Sequence, residues 1–257
     1  MNSSPENFPK IIHQVYGFWD SKIPRKIQSR MDTWKKFHPD YEHKLWDKKT
    51  SRNFIKEHYA WFLPVYDSYW YAIQRADAIR YFFLYHYGGL YSDIDLEPLK
   101  CITPLLEKHK NKGCILYRSP NSELLTNDFM VSKARNPFWK KVWYELLVNN
   151  NFKSVSKHLT VMHTTGPLLL DSAFENMIYR RKKYVYVIHA KYINSCDIAA
   201  KKPCWNKEAY LKRYDGNSWH GADSTILNFF YKHYITIIVV VVLICVIIGL
   251  LVDRSSK

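Results

Sequence analysis

Arg75-Ala76-Asp77-Ala78-Ile79-Arg80-Tyr81 and, shortly after it, Gly88-Gly89-Leu90-Tyr91-Ser92-Asp93-Ile94-Asp95 read as a helix, a stop and a strand. Residues 68–87 place Ala72, Ala76, Ile79, Phe83 and Tyr87 at three- and four-residue spacing, which predicts the helix. Gly88-Gly89 supplies its C-terminal stop. Asp77 and Arg80 lie three apart and share a helix face. The strand that follows ends on Asp93 and Asp95. Strand residues two apart share a face, so both carboxylates are expected to point one way and Ile94 into the sheet. Two hard oxygen ligands on one side suit Mg²⁺ or Mn²⁺, ions that keep waters and take further ligands from phosphate groups. The plainer alternatives are a solvated acidic turn and a surface Asp77–Arg80 ion pair of small energetic value.

Outward from this stretch the chain alternates strand and helix. Residues 10–16 form an apolar strand ending at Gly17, residues 24–37 a helix, and residues 41–46 a second strand. Residues 113–117 and 128–132 are further strands. Asn136-Pro137 opens a helix that buries Phe138, Val142 and Leu146, with Trp139 and Trp143 widening the stripe. Thr165-Gly166-Pro167 starts another helix, and residues 184–188 form a strand ending at His189. Such alternation predicts an α/β fold with a mostly parallel central sheet. Ligands of such sheets gather beyond the carboxyl ends of the strands, where Gly17, Asp93, Asp95 and His189 all fall.

The 257 residues suffice for one α/β domain with a real core. An aromatic content of 16% excludes a disordered chain. The net charge of +15 points to nucleic acid, an anionic membrane surface or a phosphorylated substrate. The Lys and Arg residues are scattered, and no helix-turn-helix, RNA-recognition or zinc-finger pattern is present, so nucleic acid is not the expected partner. The membrane fits better. Residues 235–252, ITIIVVVVLICVIIGLLV, contain no charge, and a run of about 18 apolar residues can span a bilayer as one C-terminal transmembrane helix. Tyr231 and Tyr234 precede it, where interfacial aromatics belong. Residues 1–9 read as a tail without an apolar stretch, so no signal peptide is expected. Residues 10–230 are the expected globular domain and 253–257 a short tail. Charges on the two sides of the span nearly balance, which leaves its orientation open. Cys196 and Cys204 could pair or stay free, and the cysteine spacing forms no zinc site.

The arrangement R-x-D-x-x-R followed by G-G-x-Y-x-D-x-D resembles the glycosyltransferases with a D-x-D sugar-binding region, grouped as family 32. Other blocks resemble the family in register: Pro9-Lys10-Ile11-Ile12-His13-Gln14, Trp34, His38-Pro39-Asp40-Tyr41, Leu45-Trp46-Asp47, Asn127-Asp128-Phe129-Met130, Asn136-Pro137-Phe138, Thr165-Gly166-Pro167 and Ser218-Trp219-His220. The last block and the apolar run after it are most similar to the inositol phosphorylceramide mannosyltransferases of that family.

The resemblance implies a GT-A-like, Rossmann-type nucleotide-sugar-binding domain. It also implies metal-dependent, configuration-retaining hexosyl transfer, with Mn²⁺ or Mg²⁺, at a Golgi or ER membrane. The implied donor is GDP-mannose, with UDP-sugars as the alternative. The implied acceptor is a lipid such as inositol phosphorylceramide, or a glycan. Residue by residue, Asp95 would coordinate the ion and Asp93 would reach it through water or contact the ribose. His220, with His189 as runner-up, would be a third ligand. Asp77 would accept hydrogen bonds from donor-sugar hydroxyls, and Arg80 would meet the diphosphate or hold Asp77. Asn127 and Asp128 would face the sugar, with Asp128 supporting an oxocarbenium-like transition state. Trp219 would cap the diphosphate. His13, Gln14 and Tyr16 would lie near the base. Ordinary strand-end hydrogen bonds for His13 and Gln14, core packing for Trp219 and structural imidazoles for the two late histidines stay open beside these roles. A silent sugar-nucleotide-binding subunit of a membrane complex and a metal-dependent phosphotransferase are the readings from other classes. The presence of Asp77, Arg80, Asp93 and Asp95 together argues against the first. The unexplained Thr165-Gly166-Pro167 and Ser218-Trp219 blocks argue against the second.

Overall fold

The computed structural model describes residues 7–18, 22–119, 123–177, 184–193 and 206–214, and singly Asp223, Ser224, His233, Ile244, Cys245 and Ile248. Trp219, His220, Cys196, Cys204 and nearly all of 235–252 lie outside the described residues. Among the described residues, no helix is long and apolar enough to cross a membrane. The chain divides into two compact units, residues 1–153 with 160–216 and residues 154–159 with 217–257. In that second unit the Asp223 carboxylate accepts hydrogen bonds from Ser156 Oγ (2.8 Å) and His158 N (2.9 Å).

The first unit is built on a six-stranded sheet. Its strands are β1 (Ile11–Val15), β2 (Glu42–Trp46), β3 (Gly89–Ser92), β5 (Cys114–Tyr117), β6 (Phe129–Ser132) and β7 (Val185–Ile188), in spatial order β2-β1-β3-β6-β5-β7. β2, β1 and β3 are parallel neighbours, as are β5 and β7, but β6 runs antiparallel to both β3 and β5. The sheet is therefore mixed, and the expectation of a mostly parallel sheet misses the reversed β6. β6 has the same four-residue, wholly buried character as its neighbours. Strands buried on both faces read as continuous apolar runs that do not reveal direction. Ile12, Leu90, Ile115, Phe129, Val131 and Ile188 join Trp34 in one hydrophobic core. Phe8, placed by its sequence in a tail, is buried in that core too.

Helices flank the sheet: α1 (Arg25–Phe37), α2 (Lys48–His58), α3 (Leu63–Ser68), α4 (Ala72–His86), α5 (Thr103–Lys108), α6 (Phe138–Asn149), α7 (Lys157–Thr164), α8 (Pro167–Glu175) and the short α9 (Ala190–Ile193). α4 begins later than its spacing suggests. Tyr69 and Tyr71 are extended, with ψ of 132° and 143°, and separate it from α3. Gln74 Oε1 accepts the Tyr71 N–H at 2.9 Å and fixes the new start. At the other end Gly88 takes φ +69°, the left-handed stop that its sequence predicted. Gly89 follows at φ +91°, and a Cβ there would lie 2.6 Å from Ile11 O, so only glycine lets β3 approach β1 this closely. α2, unforeseen from its sequence, starts on a capping box in which Thr50 N donates to Asp47 Oδ1 (2.7 Å) and Asp47 N to Thr50 Oγ1 (2.9 Å).

One further pairing positions the site. β4 (Leu96–Pro98) runs antiparallel to β8 (Leu211–Arg213), with Leu96 opposite Arg213. This ribbon brings a late arginine back to the acidic turn that precedes β4.

Candidate active site

α4 is buried on nearly every side, so Asp77 and Arg80 are interior groups, 5% and 4% exposed. That excludes the surface ion pair. Arg80 Nη2 meets Asp77 Oδ1 at 2.7 Å, while Nη1 meets Asp93 Oδ1 at 3.2 Å and donates to Asn127 O at 2.7 Å. Its Nε donates to Ala76 O, and the guanidinium lies 4.5 Å from the centre of the Tyr91 ring. One side chain thus ties α4, the end of β3 and the approach to β6 together. Burial alone would lower the Arg80 pKa, but Asp93, Tyr91 and Asp77 outweigh it and keep the group charged. Burial pushes the Asp77 carboxyl up to about 7; Asp93 adds to that rise, while Arg80, Thr165 and Asn127 oppose it. Thr165 Oγ1 donates to Asp77 Oδ2 at 3.4 Å, and Tyr81 donates its hydroxyl to Thr165 O at 2.7 Å. The Thr165-Gly166-Pro167 block therefore serves as a wall behind Asp77.

The acidic pair does not continue the strand. β3 ends at Ser92, and Asp93 to Asp95 make a turn closed by Leu96 N donating to Asp93 O at 3.1 Å. The shared-face argument fails for that reason, and Ile94 is half-buried rather than turned into the sheet. Asp93 leans toward Arg80 and accepts a short hydrogen bond from the Tyr91 hydroxyl. Asp95 feels the charges of Arg213 and Arg30 instead. Burial, then Asp93, raises its pKa, and the two arginines pull it back. Asp95 Oδ1 is buried with no hydrogen-bond partner among the described residues. A buried carboxylate oxygen without a partner is costly. A hard cation beside it would satisfy that oxygen, so the residues present fit a divalent ion. Among the described residues, no three His, Cys, Asp or Glu side chains gather to hold one. Such an ion would depend on substrate oxygens, on water, or on a ligand beyond those residues.

Asn127 and Asp128 converge on the same place. Asn127 Nδ2 donates to the Tyr81 hydroxyl at 3.2 Å. Asp128 accepts the Tyr117 hydroxyl at 2.9 and 2.8 Å and pairs closely with Arg213. Its carbonyl accepts the Asp93 N–H at 2.7 Å, which locks the acidic turn to β6. Arg213 and Tyr117 were missed from the sequence. Nothing in Leu211-Lys212-Arg213-Tyr214 separates this arginine from the other basic residues, and only the β4–β8 pairing reveals its role.

His13 and Gln14 of the first strand, and Tyr16 just after it, are all buried. His13 has no exposed surface. One ring nitrogen, Nε2, donates to Gly88 O at 3.0 Å, and Nδ1 accepts from Trp46 Nε1 at 3.2 Å. The ring also stacks on Phe83 and Tyr87, so the geometry leaves it no atom to offer a donor nucleotide. Tyr16 is buried and donates its hydroxyl to Lys22 O at 2.9 Å. Gln14 is also buried, but its Nε2 lacks a partner among the described residues. His189 is exposed, and its Nδ1 accepts from Lys191 N at the start of α9. Among the described residues it joins no group of three potential ligands, and the turn into α9 occupies its Nδ1.

The neutral, enclosed His13 carries a pH signature. Burial lowers its pKa from 6.5 to about 4. The unfolded chain therefore takes up a proton first as pH falls. The stabilisation is full above about pH 6.5 and is lost as pH falls through about 4. The loss expected is about 3 kcal/mol. Urea midpoints across this window should fall more steeply for the native chain than for His13→Gln.

Residues 24–112 match the family described as glycosyltransferase sugar-binding region containing DXD motif. Inositol phosphoceramide mannosyltransferase 2 of Schizosaccharomyces pombe is 33% identical over 238 residues, covering 90% of this chain and 64% of that protein. Residues 24–112 carry the D-x-D sugar-binding region of the glycosyltransferases. Mannosyl phosphorylinositol ceramide synthase SUR1 of Saccharomyces cerevisiae is 32% identical over 244 residues, covering 91% of this chain and 58% of that protein. The chain thus spans less than two thirds of the length of these relatives. The matched family region takes in Asp77, Arg80, Asp93 and Asp95 and stops short of Asn127, Asp128 and Arg213. Among solved structures, the UDP-bound glycosyltransferase domain from the YGT toxin aligns at a TM-score of 0.49 and 10% identity, over 72% of this chain and 80% of that one.

Proposed function

We propose that this glycosyltransferase is a metal-dependent, retaining hexosyltransferase. It moves mannose from GDP-mannose to a membrane-associated acceptor, inositol phosphorylceramide or a related glycan, on a GT-A-like frame. The observation that carries the reading is the buried Asp95 oxygen, without a partner among the described residues, beside an Asp77–Arg80–Asp93 cluster. The mannose and inositol phosphoceramide in the names of its relatives favour this donor and acceptor over UDP-sugars. Residues 235–252 would hold the protein at a Golgi or ER membrane, which keeps it near a lipid acceptor.

Asp95 would hold a divalent cation, Mn²⁺ or Mg²⁺, with Asp93 reaching it through water or binding the ribose. When bound, the ion neutralises charge that builds on the leaving diphosphate. Asp77, fixed by Arg80 and Thr165, accepts hydrogen bonds from donor-sugar hydroxyls. Arg80 is committed to Asp77, Asp93 and Asn127, so its part is to hold the cluster rather than to clamp phosphate. Asp128, paired with Arg213, would face the positive charge that grows on the sugar ring. Gln14 Nε2 is the first-strand donor left for a base. Trp219 and His220 keep their proposed parts as diphosphate cap and third ligand.

The test is donor hydrolysis by the purified chain, across GDP-mannose and the common UDP-sugars, with Mn²⁺ or EDTA. Metal-dependent release from GDP-mannose is the expected result. Release from a UDP-sugar instead would reassign the donor. Binding of a donor with no release would turn the reading toward a silent subunit that needs a membrane partner.

A further inference from the structure

α6 turns one face to Phe82, Tyr85 and α8 and leaves another to solvent. On the inner face Phe138, Trp139, Val142 and Leu146 are essentially inaccessible. On the outer face Tyr144, Leu147 and Val148 are 56%, 41% and 59% exposed. Phe152 follows, 42% exposed, in a turn that Phe152 N closes on Asn149 O at 3.0 Å. Two tryptophans flank the helix. Trp61 is half exposed and packs 5.7 Å from Trp143 of α6, and Trp70 is more than half exposed. Single exposed apolar residues need no explanation, but three on one helix face, with Phe152 after it and two exposed tryptophans, do.

Lysines are interleaved with these side chains. Lys153 Nζ lies 3.8 Å from the centre of the Trp70 ring, and Lys141 Nζ 4.5 Å from that of Tyr144. Lys140 projects from the same helix one turn before Tyr144 and sits 5.8 Å from the Tyr85 ring. The acid on this helix, Glu145, is buried and paired with Lys141 at 2.7 Å. Lys140 and Lys153 thus leave their charge uncancelled by it. A face made of Trp, Tyr, Phe, Leu and Val with lysines among them suits the boundary between lipid headgroups and acyl chains. The rings bury their apolar bodies there and the ammonium groups stay at the phosphates. A protein partner of matching shape would need no lysines among the rings. An anionic bilayer rewards them, and the chain as a whole carries +15.

We infer that the outer face of α6, with Trp61, Trp70 and Phe152, is a docking surface for an anionic lipid bilayer. It acts in addition to any span formed by residues 235–252. A chain tethered only at that span is free to tumble about the tether. A second, in-plane contact would hold the globular unit in one orientation, with α4 and its Asp77–Arg80 pair fixed relative to the bilayer by the packing of α6 on α4.

The experiment uses the full chain reconstituted into phosphatidylcholine vesicles with and without phosphatidylinositol. Each preparation carries a photoactivatable phospholipid, and cross-linked peptides are mapped. Adducts on residues 140–153 and around Trp61 and Trp70, stronger in the anionic vesicles, are expected. Lys140→Glu with Lys153→Glu should lower the yield at these positions by about fivefold or more for each lysine. Labelling confined to residues 235–252 would overturn the inference. So would labelling of the face that ignores both lipid charge and the lysine reversals, or a face that instead cross-links to a second copy of the chain. Far-ultraviolet circular dichroism of the lysine variant guards against misfolding. The readout needs no donor sugar, so it stands or falls apart from the catalytic reading.

Discussion

Arg80→Met should cost about 3–5 kcal/mol of folding stability, because it leaves Asp77 and its neighbours with an uncompensated buried charge. The guanidinium satisfies Asp77, Asp93 and the Asn127 carbonyl from one plane, and methionine replaces only the length of the side chain. Lysine is no substitute either, since one ammonium cannot reach three acceptors set around a planar fork. The measurement is urea unfolding at neutral pH, where the midpoint should drop without a change in slope. Arg80→Met combined with Asp77→Asn should cost less than the sum of the single changes, since the second removes the charge that the first strands. The penalty should also shrink in mild acid. Burial already holds the Asp77 carboxyl at about 7, and without Arg80 it takes up a proton more readily still. A loss below about 1 kcal/mol, or simple additivity of the two changes, would mean that Asp77 is neutral in the native chain and that Arg80 holds the site only through Asp93 and Asn127.

What the sequence made legible follows from how local each signal was. The body of α4, its Gly88 stop and the shared face of Asp77 and Arg80 depend on neighbours within a turn and were legible, whereas the helix start shifted to Ala72 because Tyr69 and Tyr71 are extended. The inner strands of the sheet were legible for the same reason, their burial being written as short apolar runs. Direction was not, because β6 is reversed by contacts with β3 and β5 that no local pattern encodes. The acidic pair failed differently. Period-two reasoning holds only while the strand lasts, and β3 stops at Ser92, before either carboxylate, where the turn closed by Leu96 N on Asp93 O begins. Arg213 was invisible because its partner Asp128 is distant in sequence and the two meet only through the β4–β8 ribbon. His13 was legible only in part: a polar residue at a strand end suggests a ligand contact or a strand-end hydrogen bond, and Trp46 and Gly88 take up both its nitrogens.

Asp95→Asn should separate function from stability. The change keeps the shape and removes the charge. If Asp95 holds the ion, Mn²⁺-dependent donor hydrolysis should fall by about 10²–10³-fold, since an ion's charge stabilisation amounts to several kcal/mol and each 1.36 kcal/mol is tenfold in rate. The fold should become more stable, not less. Burial and the Asp93 charge raise the Asp95 pKa, so above the ordinary carboxylate range the native chain bears the cost of ionising a group that the unfolded chain ionises freely. That cost is absent in acid and grows as pH rises toward neutrality, so the stability gap between Asp95→Asn and the native chain should widen in the same direction. Such a residue keeps its charge at the expense of the fold, as expected where a ligand supplies the missing partner. Thermal or urea midpoints at two pH values, alongside donor hydrolysis with Mn²⁺ and with EDTA, give both halves of the test. Retained activity would remove Asp95 from the metal site. Lost stability, whatever the activity, would show that its unpartnered oxygen is held by a group of the protein rather than awaiting an ion.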